Sequence, residues 1–307
     1  MKLYLSTAPH IRCPENTTRL MGDVIIALLP ATIAGVYYFG MGAAAVIAIS
    51  IASAVLFEFL WQKLTKQAVR IGDLSAVVTG LILGLNLPPT SPWWMPIIGS
   101  GIAIVLVKQL FGGIGDNFLN PALAARAVLL TSWPVRMTSF VLPTKLQTVD
   151  AVASATPLAG YPATTMDLLL GNVPGSIGEV CKAAILLGFI YMLIRHVIAW
   201  RIPVIMVASY ALFALIFGND VLVGVLSGGL LFGAVFMATD YTTSPMTQRG
   251  QYIYAAGCGL LVAVIRNFGS YPEGVTYAIL IMNITTPLID KYVKPRLYGE
   301  VKADAKQ

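Results

Sequence analysis

The sequence has few charged residues, few histidines and few cysteines. Only 11% of its 307 residues are charged and 57% are hydrophobic, with a mean hydropathy of +0.78. Soluble domains carry about 25% charged residues, so this composition excludes an ordinary soluble fold and predicts an integral membrane protein. The two histidines (His10 and His196) and the cysteines Cys13, Cys181 and Cys258 show no ligand-type spacing. We therefore expect no metal site and no iron–sulfur cluster.

The net charge of +6 comes from basic residues scattered between apolar runs. The sequence contains no basic helix and no basic patch interleaved with aromatic residues, which are the features typical of nucleic-acid binding. We therefore expect the lipid bilayer, and no nucleic acid, as a partner of this chain.

Ten apolar stretches are suitable for membrane helices, which need about 20 residues, with a range of about 17 to 25. The third and fifth are short, and the third ends in NLPP. Short spans are tolerated where they are buried in protein or line a cavity, so we expect these two near the core of an all-α membrane fold. The stretches are 23–39, 42–61, 74–88, 95–111, 120–133, 180–199, 203–217, 221–238, 252–268 and 274–290.

Basic residues predict the orientation, because cytoplasmic segments are enriched in them. With the N-terminus inside, the outside segments hold only Arg136, Lys145, Lys182 and Arg266. We therefore expect a multi-pass protein of the cytoplasmic membrane with both termini in the cytoplasm. The predicted parts are a first helix group (22–133), an extracytoplasmic loop (134–179), a second helix group (180–291) and a cytoplasmic tail (292–307).

Two pairs of stretches indicate an internal repeat. TGLILGLNLPPTSP (79–92) is similar to GGLLFGAVFMATDYTTSP (228–245), and KQLFGG (108–113) is similar to RNFGSY (266–271). They relate the third and fourth spans to the eighth and ninth. A shift of five spans reverses orientation, which predicts two five-helix inverted repeats with sites near the midplane. Chance similarity between helices rich in glycine and leucine is the alternative.

Ionisable residues within or beside the spans are costly in a membrane, so each is a functional candidate. For each of them, a snorkelling or helix-end charge is the alternative. Arg126 is the strongest candidate, because it lies near the middle of the short fifth span. The candidates are Asp73, Lys108, Arg126, Asp240 and Arg266.

The fifth span begins with NFLNPALAAR, in which Asn120 is a predicted helix cap and Pro121 suits the first helical position. The glycine-rich stretch GGIGDN (112–117) leads into it, and the opening N–H groups of the helix predict a site for an anion. This stretch is not G-x-G-x-x-G and follows no strand, which excludes a Rossmann-type site.

The polar stretch DAVASATPLAGYP (150–162) interrupts the apolar pattern, and we expect it to form an exposed loop. Taken alone, Thr156-Pro157 is an ordinary helix start. No Ser-His-Asp arrangement, Walker loop or carboxylate pair is present elsewhere, and we expect no catalytic residues in this chain.

Several stretches, in order, resemble one family. DAVASATPL (150–158) is similar to the flavinylation motif of the NqrB/RnfD family, whose members belong to the Nqr and Rnf respiratory complexes. The resemblance covers nearly the whole chain. The chain is as compact as the members from Rnf complexes, whereas the members from Nqr complexes are longer. The other matching stretches are GDLSAVVTGLILGLNLPP (72–89), GGIGDNFLNPA (112–122), FMATDYTTSPMTQRGQ (236–251) and RNFGSYPEGVTYAILIMNITTPLID (266–290).

The resemblance implies that Thr156 carries FMN through a phosphoester, installed by a flavin transferase that uses FAD. The family's Asp falls on Asp150 and its Ala-Thr pair on Ala155 and Thr156. The sequence departs from the family at Ala153 and Ser154, where Ser or Thr and Gly are usual. Asn120 and Arg126 are expected to contact a flavin edge, and a second, non-covalent flavin such as riboflavin is left open.

The implied function is that of the flavin-carrying membrane subunit of an Rnf-type complex. Such a complex couples electron transfer between ferredoxin and NAD to translocation of Na⁺ or H⁺. This chain would be an electron relay rather than a complete active site, with the A, B, C, E and G subunits of the Rnf complex as partners. The alternatives are an NqrB-like component of a Na⁺-translocating NADH:quinone reductase and, in a different class, a solute channel or transporter. Covalent flavin would distinguish the two classes.

Overall fold

The computed structural model describes residues 16–143, 153–154, 156–159, 161–269 and 273–294, which form a helical bundle with one small hairpin. Each of the ten predicted apolar stretches overlaps at least one helix. The helices are α1 (Thr17–Phe39), α2 (Met41–Leu64), α3 (Ser75–Leu85), α4 (Trp94–Gly101), α5 (Pro121–Ser132), α6 (Pro134–Met137), α7 (Thr165–Leu170), α8 (Lys182–Ile194), α9 (Arg201–Ile216), α10 (Val221–Leu226), α11 (Leu230–Phe232), α12 (Gln248–Phe268) and α13 (Val275–Tyr292).

The outer surface of the bundle is apolar. Among the described helices, α1 and α2 are long and apolar enough by themselves to cross a bilayer. Large side chains such as Ile33, Leu187, Leu215 and Ile284 are exposed on α1, α8, α9 and α13. Exposed apolar area on this scale would be unfavourable in water and is the surface that lipid requires.

The helices pack in two groups that meet at the centre. α2 packs against α3 and α4, and α9 packs against α10 and α12. Contacts of α1 with α8, and of α5 with α13, join the two groups.

The two short spans are inside the bundle, as the sequence predicts. Nearly every residue of α3 is buried, and so is the first half of α5. α5 starts with the predicted cap, because the Asn120 side chain accepts hydrogen bonds from the amides of Ala122 (3.1 Å) and Leu123 (3.2 Å), and Pro121 is the first helical residue.

The predicted eighth span (221–238) is not one continuous helix. α10 ends at Leu226, and after a break at residues 227–229 the chain continues as α11 and a π-helical stretch, Gly233–Met237. Gly228 has a left-handed φ of +62°, which glycine adopts without strain. A Cβ on Gly229 would lie 2.6 Å from Glu179 Oε1, so this position also requires glycine. The break therefore follows from two adjacent glycines and the carboxylate packed against them.

The region between the two helix groups contains short ordered elements. β1 (Phe140–Val141) pairs antiparallel with β2 (Ala153–Ser154), with Phe140 opposite Ser154. A single 3₁₀ turn (Pro157–Ala159) follows β2. Further on, Thr164 caps α7, and hydrogen bonds donated by Thr164 to the Asp167 carboxylate lower the pKa of Asp167. The 3₁₀ turn thus lies between β2 and α7 in the chain.

Candidate functional site: Thr156 and a buried charge cluster

Thr156 is buried, whereas the sequence places it in an exposed loop. Its side chain is 4% exposed, and its Oγ1 atom has no hydrogen-bond partner among the described residues. The 3₁₀ turn after Thr156 packs against the break between α10 and α11, where Leu158 Cδ1 borders Gly228. The expectation of exposure is wrong because the turn docks on this break, which the apolar pattern does not reveal.

Thr156 lines a narrow cavity together with charged and polar side chains. Glu179, Lys182, Ser227 and Glu273 line the same cavity. Lys182 is the first residue of α8, and Glu179 lies in the turn just before it. The cavity thus brings together the start of α8, the α10–α11 break and the residues that precede α13.

Arg126 joins the two carboxylates of this cluster. Its side chain is 6% exposed; Nη1 lies 2.8 Å from Glu179 Oε1 and Nη2 lies 2.5 Å from Glu273 Oε2. Nη1 also donates a 2.7 Å hydrogen bond to Asn86 Oδ1. Arg126 faces the interior, so the snorkelling alternative is excluded. Because its guanidinium already binds three protein groups, the structure gives it an ion-pairing role.

The other two cations of the cluster bind backbone carbonyls. Lys182 Nζ donates to the carbonyls of Glu179 and of Gly228, the latter at 2.6 Å. Arg266 donates from Nη1 to the Gly224 carbonyl (2.6 Å) and from Nη2 to the Ser227 carbonyl (3.3 Å). Within the described part of the chain, neither cation has a carboxylate within 4 Å.

Several polar atoms at this site are buried without a partner. Buried polar groups are normally hydrogen-bonded, and each orphan costs free energy. Such a concentration is therefore typical of a place where a further group binds. Among the described residues the atoms are Thr156 Oγ1, Glu179 Oε2, Ser227 Oγ, Arg266 Nε and Glu273 Oε1.

The other predicted residues of the motif are described only in part. Asp150 and Ala155 lie outside the described residues. Ser154 is in β2, opposite Phe140 of β1. The hairpin therefore leads the chain directly to Thr156.

Asn120 lies apart from Thr156, beside an open cavity of about 130 Å³ between the two helix groups. Lys108 and Asp240 line this cavity too. The amides of Ala122 and Leu123 are occupied by the Asn120 side chain itself, so these two opening N–H groups of α5 are not available to an anion. The structure does not bring Asn120 and Thr156 together.

A second buried ion pair links α2 to the π-helical stretch after α4, Ile102–Gln109. Lys108 Nζ lies 3.0 and 2.9 Å from the two carboxylate oxygens of Glu58, and it donates to Ser75 Oγ at 2.6 Å.

The two acidic candidates bind groups close to them in the chain. Asp73 accepts hydrogen bonds from the Ser75 amide and hydroxyl, and Asp240 accepts them from Thr242 and Thr243. Both are therefore local turn or cap residues.

Sequence reasoning missed the acidic partners. Glu58, Glu179 and Glu273 are the carboxylates that compensate the predicted cations, and the charge pattern marks Lys182 only as a loop charge. Glu58 carries a visible signal, since it stands alone in the apolar run VLFEFLWQ of the second span. Glu179 and Glu273 lie between spans, and hydropathy does not mark them.

These features define a class. The chain is an all-α membrane protein with an apolar outer surface, short helices at its core and a threonine hydroxyl that opens onto a buried charge cluster. It matches the family described as NQR2, RnfD, RnfE over residues 4–299, and it belongs to this family.

Among its relatives, the chain is similar to D subunits of ion-translocating complexes. It is 48% identical to the D subunit of the Na(+)-translocating ferredoxin:NAD(+) oxidoreductase complex of Acetobacterium woodii, over 100% of this chain and 99% of that protein. It is 42% identical to the D subunit of the proton-translocating ferredoxin:NAD(+) oxidoreductase complex of Clostridium ljungdahlii, over 96% of each. It is 38% identical to the D subunit of the ion-translocating oxidoreductase complex of Halorhodospira halophila, over 98% of this chain and 97% of that protein. The predicted family membership is confirmed.

Proposed function

We propose that this chain is the flavin-carrying membrane subunit of an Rnf-type complex, with FMN bound to Thr156 through a phosphoester. The complex transfers electrons between ferredoxin and NAD and couples this transfer to translocation of Na⁺ or H⁺. The names of the relatives from A. woodii and C. ljungdahlii support electron transfer between ferredoxin and NAD. They differ in the translocated ion, which is Na⁺ in the first name and a proton in the second. This chain is then part of a translocase-type oxidoreductase, in which it relays electrons.

The observation that carries the proposal is the unpartnered, buried Thr156 hydroxyl beside a cluster of cations. A hydroxyl is the acceptor that a phosphoester requires, and a cationic surrounding suits a phosphate group. Three cations (Arg126, Lys182 and Arg266) and two carboxylates (Glu179 and Glu273) make up the cluster. The residues present therefore fit a covalently attached FMN.

Attachment requires no change of oxidation state. The Thr156 oxygen attacks the FMN phosphorus of FAD, the pyrophosphate bond breaks, and AMP leaves with the bonding electron pair. The hydroxyl proton is lost to solvent. A dedicated flavin transferase is the partner for this step, and the motif around Thr156, including Asp150, Ser154 and Ala155, is its recognition segment.

The bound flavin supplies the electron-carrying chemistry, and the chain supplies its position. Esterification to Thr156 fixes one end of the flavin to a turn that is packed on the bundle. The Arg126 ion pairs hold the residues on either side of that turn, since they connect α5 to the segments before α8 and α13. A relay group held in this way keeps a constant distance to its electron donor and acceptor.

In this proposal the ten predicted spans form two inverted repeats of five spans each. The alignment of Thr79 with Gly228 also aligns Ser75 with Gly224, and the second similar pair aligns Lys108 with Arg266. Lys108 contacts Ser75, and Arg266 contacts the Gly224 carbonyl, so equivalent positions make equivalent contacts. The contacts of α1 with α8 and of α5 with α13 are those expected between partners related by a twofold axis.

The proposed membrane orientation has both termini in the cytoplasm and the flavin on the outer face. The distribution of basic residues favours this orientation. The cavity beside Asn120 opens between the two repeats, and its lining of mainly apolar side chains with a few polar groups is typical of small-ligand sites. A non-covalent flavin there, with Asn120 at its edge, stays a prediction. The A, B, C, E and G subunits of the complex are the proposed protein partners.

The test is to co-express the chain with its transferase and measure the mass of the peptide that contains Thr156. We expect the mass of one FMN group on Thr156 and flavin fluorescence that survives SDS electrophoresis. Thr156→Val should remove both signals, while Thr156→Ser retains an acceptor hydroxyl. Persistent fluorescence in Thr156→Val would mean that the attachment residue lies elsewhere. Absence of any flavin in the wild type would favour a solute channel or transporter.

A further inference from the structure

Equivalent cations in the two halves of the bundle, Lys108 and Arg266, have different partners. Lys108, at the end of the fourth span, has a buried carboxylate partner, because Glu58 of α2 binds it with both oxygens. Its counterpart Arg266, at the end of α12, packs over the ring of Tyr210 in α9, 4.9 Å from the ring centre. α9 contains no Asp or Glu. α9 therefore supplies no counterpart of Glu58.

The charge cluster beside Thr156 also has an excess of positive charge. Arg126 uses one oxygen of Glu179 and one of Glu273. Lys182 and Arg266 remain, and in the described part of the chain both are bonded to neutral carbonyls. Among the described residues, three cations therefore face two carboxylates, which leaves one positive charge uncompensated beside the buried Lys182 and the half-buried Arg266, where such a charge is costly.

We infer that Lys182 and Arg266 bind the phosphodiester of the FMN attached to Thr156 and so provide its anion site. This inference rests on the proposed attachment and adds the residues that hold the phosphate. A phosphodiester carries a single negative charge, which is the charge that the cluster lacks. It also brings the two acceptor oxygens that a lysine and an arginine can share.

The positions of the two side chains agree with this role. Lys182 is 2% exposed and lines the cavity together with Thr156. Arg266 Nη2 and the side chain of Leu158, which lies two residues along the chain from Thr156, both border Gly228. The unpartnered Arg266 Nε and Ser227 Oγ are further donors at the same place. A phosphate beside Thr156 would thus meet these cations and hydroxyl donors in a cavity that Glu179 and Glu273 also line, while no described carboxylate lies within 4 Å of Lys182 or Arg266.

A purely structural role must be separated from this one, because Arg266 also binds carbonyls at the end of α10, where a positive charge interacts favourably with the helix dipole, and Lys182 binds the Gly228 carbonyl in the break that follows. The experiment is a thermal-unfolding cycle on the purified full-length chain in detergent. It compares Lys182→Gln and Arg266→Gln in the FMN-loaded Thr156 form and in the Thr156→Val form. Flavin content is measured by peptide mass. The matched control is Arg195→Gln, a cation at the other end of α8 that pairs with Asp23.

We expect Lys182→Gln and Arg266→Gln to lower the melting temperature more in the loaded form than in the Thr156→Val form. The two forms should differ by about 3 °C or more, since interacting groups give non-additive effects. Arg195→Gln should lower it equally in both. Equal effects of Lys182→Gln and Arg266→Gln in both forms would overturn the inference and leave a capping role, while the attachment to Thr156 stands.

If a Gln variant does not take up FMN, the charge-retaining variants Lys182→Arg and Arg266→Lys decide the question. Restored loading, together with a melting temperature that lies as far above that of the matching Thr156→Val form as in the wild type, would support the anion site. Loading without this higher melting temperature would overturn it. A wild-type chain that carries no FMN at Thr156 is a distinct result, since it contradicts the proposed attachment itself.

Discussion

The guanidinium of Arg126 and the carboxylate of Glu179 form a 2.8 Å ion pair that is almost completely inside the bundle. The two residues lie 53 positions apart in the sequence. Their contact ties the central helix α5 to the turn before α8, and Glu273 extends the link to α13. The two carboxylates that line the cavity of Thr156 are thus held by an ion-pair network rather than by apolar packing alone.

Removing the cation of this network should destabilise the protein strongly. Arg126→Met leaves Glu179 and Glu273 buried without a partner, and breaking a buried pair in this way costs about 3–5 kcal/mol. Thermal unfolding in detergent and the yield of assembled complex should both fall. The control is the triple variant Arg126→Met, Glu179→Gln, Glu273→Gln, in which no charge is left unpaired and stability should largely return. An unchanged melting temperature in Arg126→Met would contradict this role.

The Glu58–Lys108 pair should behave in the same manner on the other side of the bundle. Glu58→Ala leaves Lys108 buried and unpaired at a cost of about 3–5 kcal/mol. The double variant Glu58→Ala, Lys108→Met removes both charges and should be more stable than Glu58→Ala. Comparison of their melting temperatures checks this, and a double variant no better than the single one would show that the charge is not the cause.

Thr156→Val should hardly affect the stability of the chain that has not been flavinylated. The hydroxyl is buried without a partner, so replacing it by a methyl group of similar size removes an unsatisfied polar atom. We expect a change within about 0.5 kcal/mol, or a slight stabilisation. The measurement is the melting temperature of both chains produced without the transferase. A marked loss of stability would mean that the hydroxyl has a partner in the folded protein.

The burial of Thr156 also predicts slow flavinylation of the folded chain. The transferase must reach a hydroxyl that is 4% exposed, so the 3₁₀ turn has to leave the α10–α11 break first. Leu158→Ala weakens this docking and should speed the loading of purified, folded chain by transferase and FAD. The rate is read from the growth of covalent flavin fluorescence. Equal rates for Leu158→Ala and the wild type would show that the turn does not limit access.

The orientation can be tested at Met166, a 69% exposed residue of α7. In a background without Cys13, Cys181 and Cys258, Met166→Cys should react with a membrane-impermeant maleimide in intact cells. A reporter fused after Gln307 should be active in the cytoplasm. Labelling of Met166→Cys only after permeabilisation would reverse the topology and move the flavin to the cytoplasmic face.

Local sequence patterns predict much of the architecture. Apolar stretches identify the helices, Asn120-Pro121 marks the start of α5, and the short third and fifth spans are correctly placed in the core. These features follow from hydropathy and capping, which depend on a few neighbouring residues. Hydropathy does not predict the break within 221–238, although Gly228 and Gly229 stand in the sequence, because glycine pairs are common in membrane helices that stay continuous.

The sequence by itself determined the class, the family and the candidate hydroxyl, because composition, spans and the DAVASATPL motif are all contiguous. Only the tertiary structure decided that Thr156 is buried and which charges surround it. Arg126 meets Glu273 across 147 positions, and Lys182 meets Gly228 across 46. Such pairs form only when segments far apart in the sequence pack together, since the cost of an uncompensated charge depends on its surroundings in space and not on its neighbours along the chain.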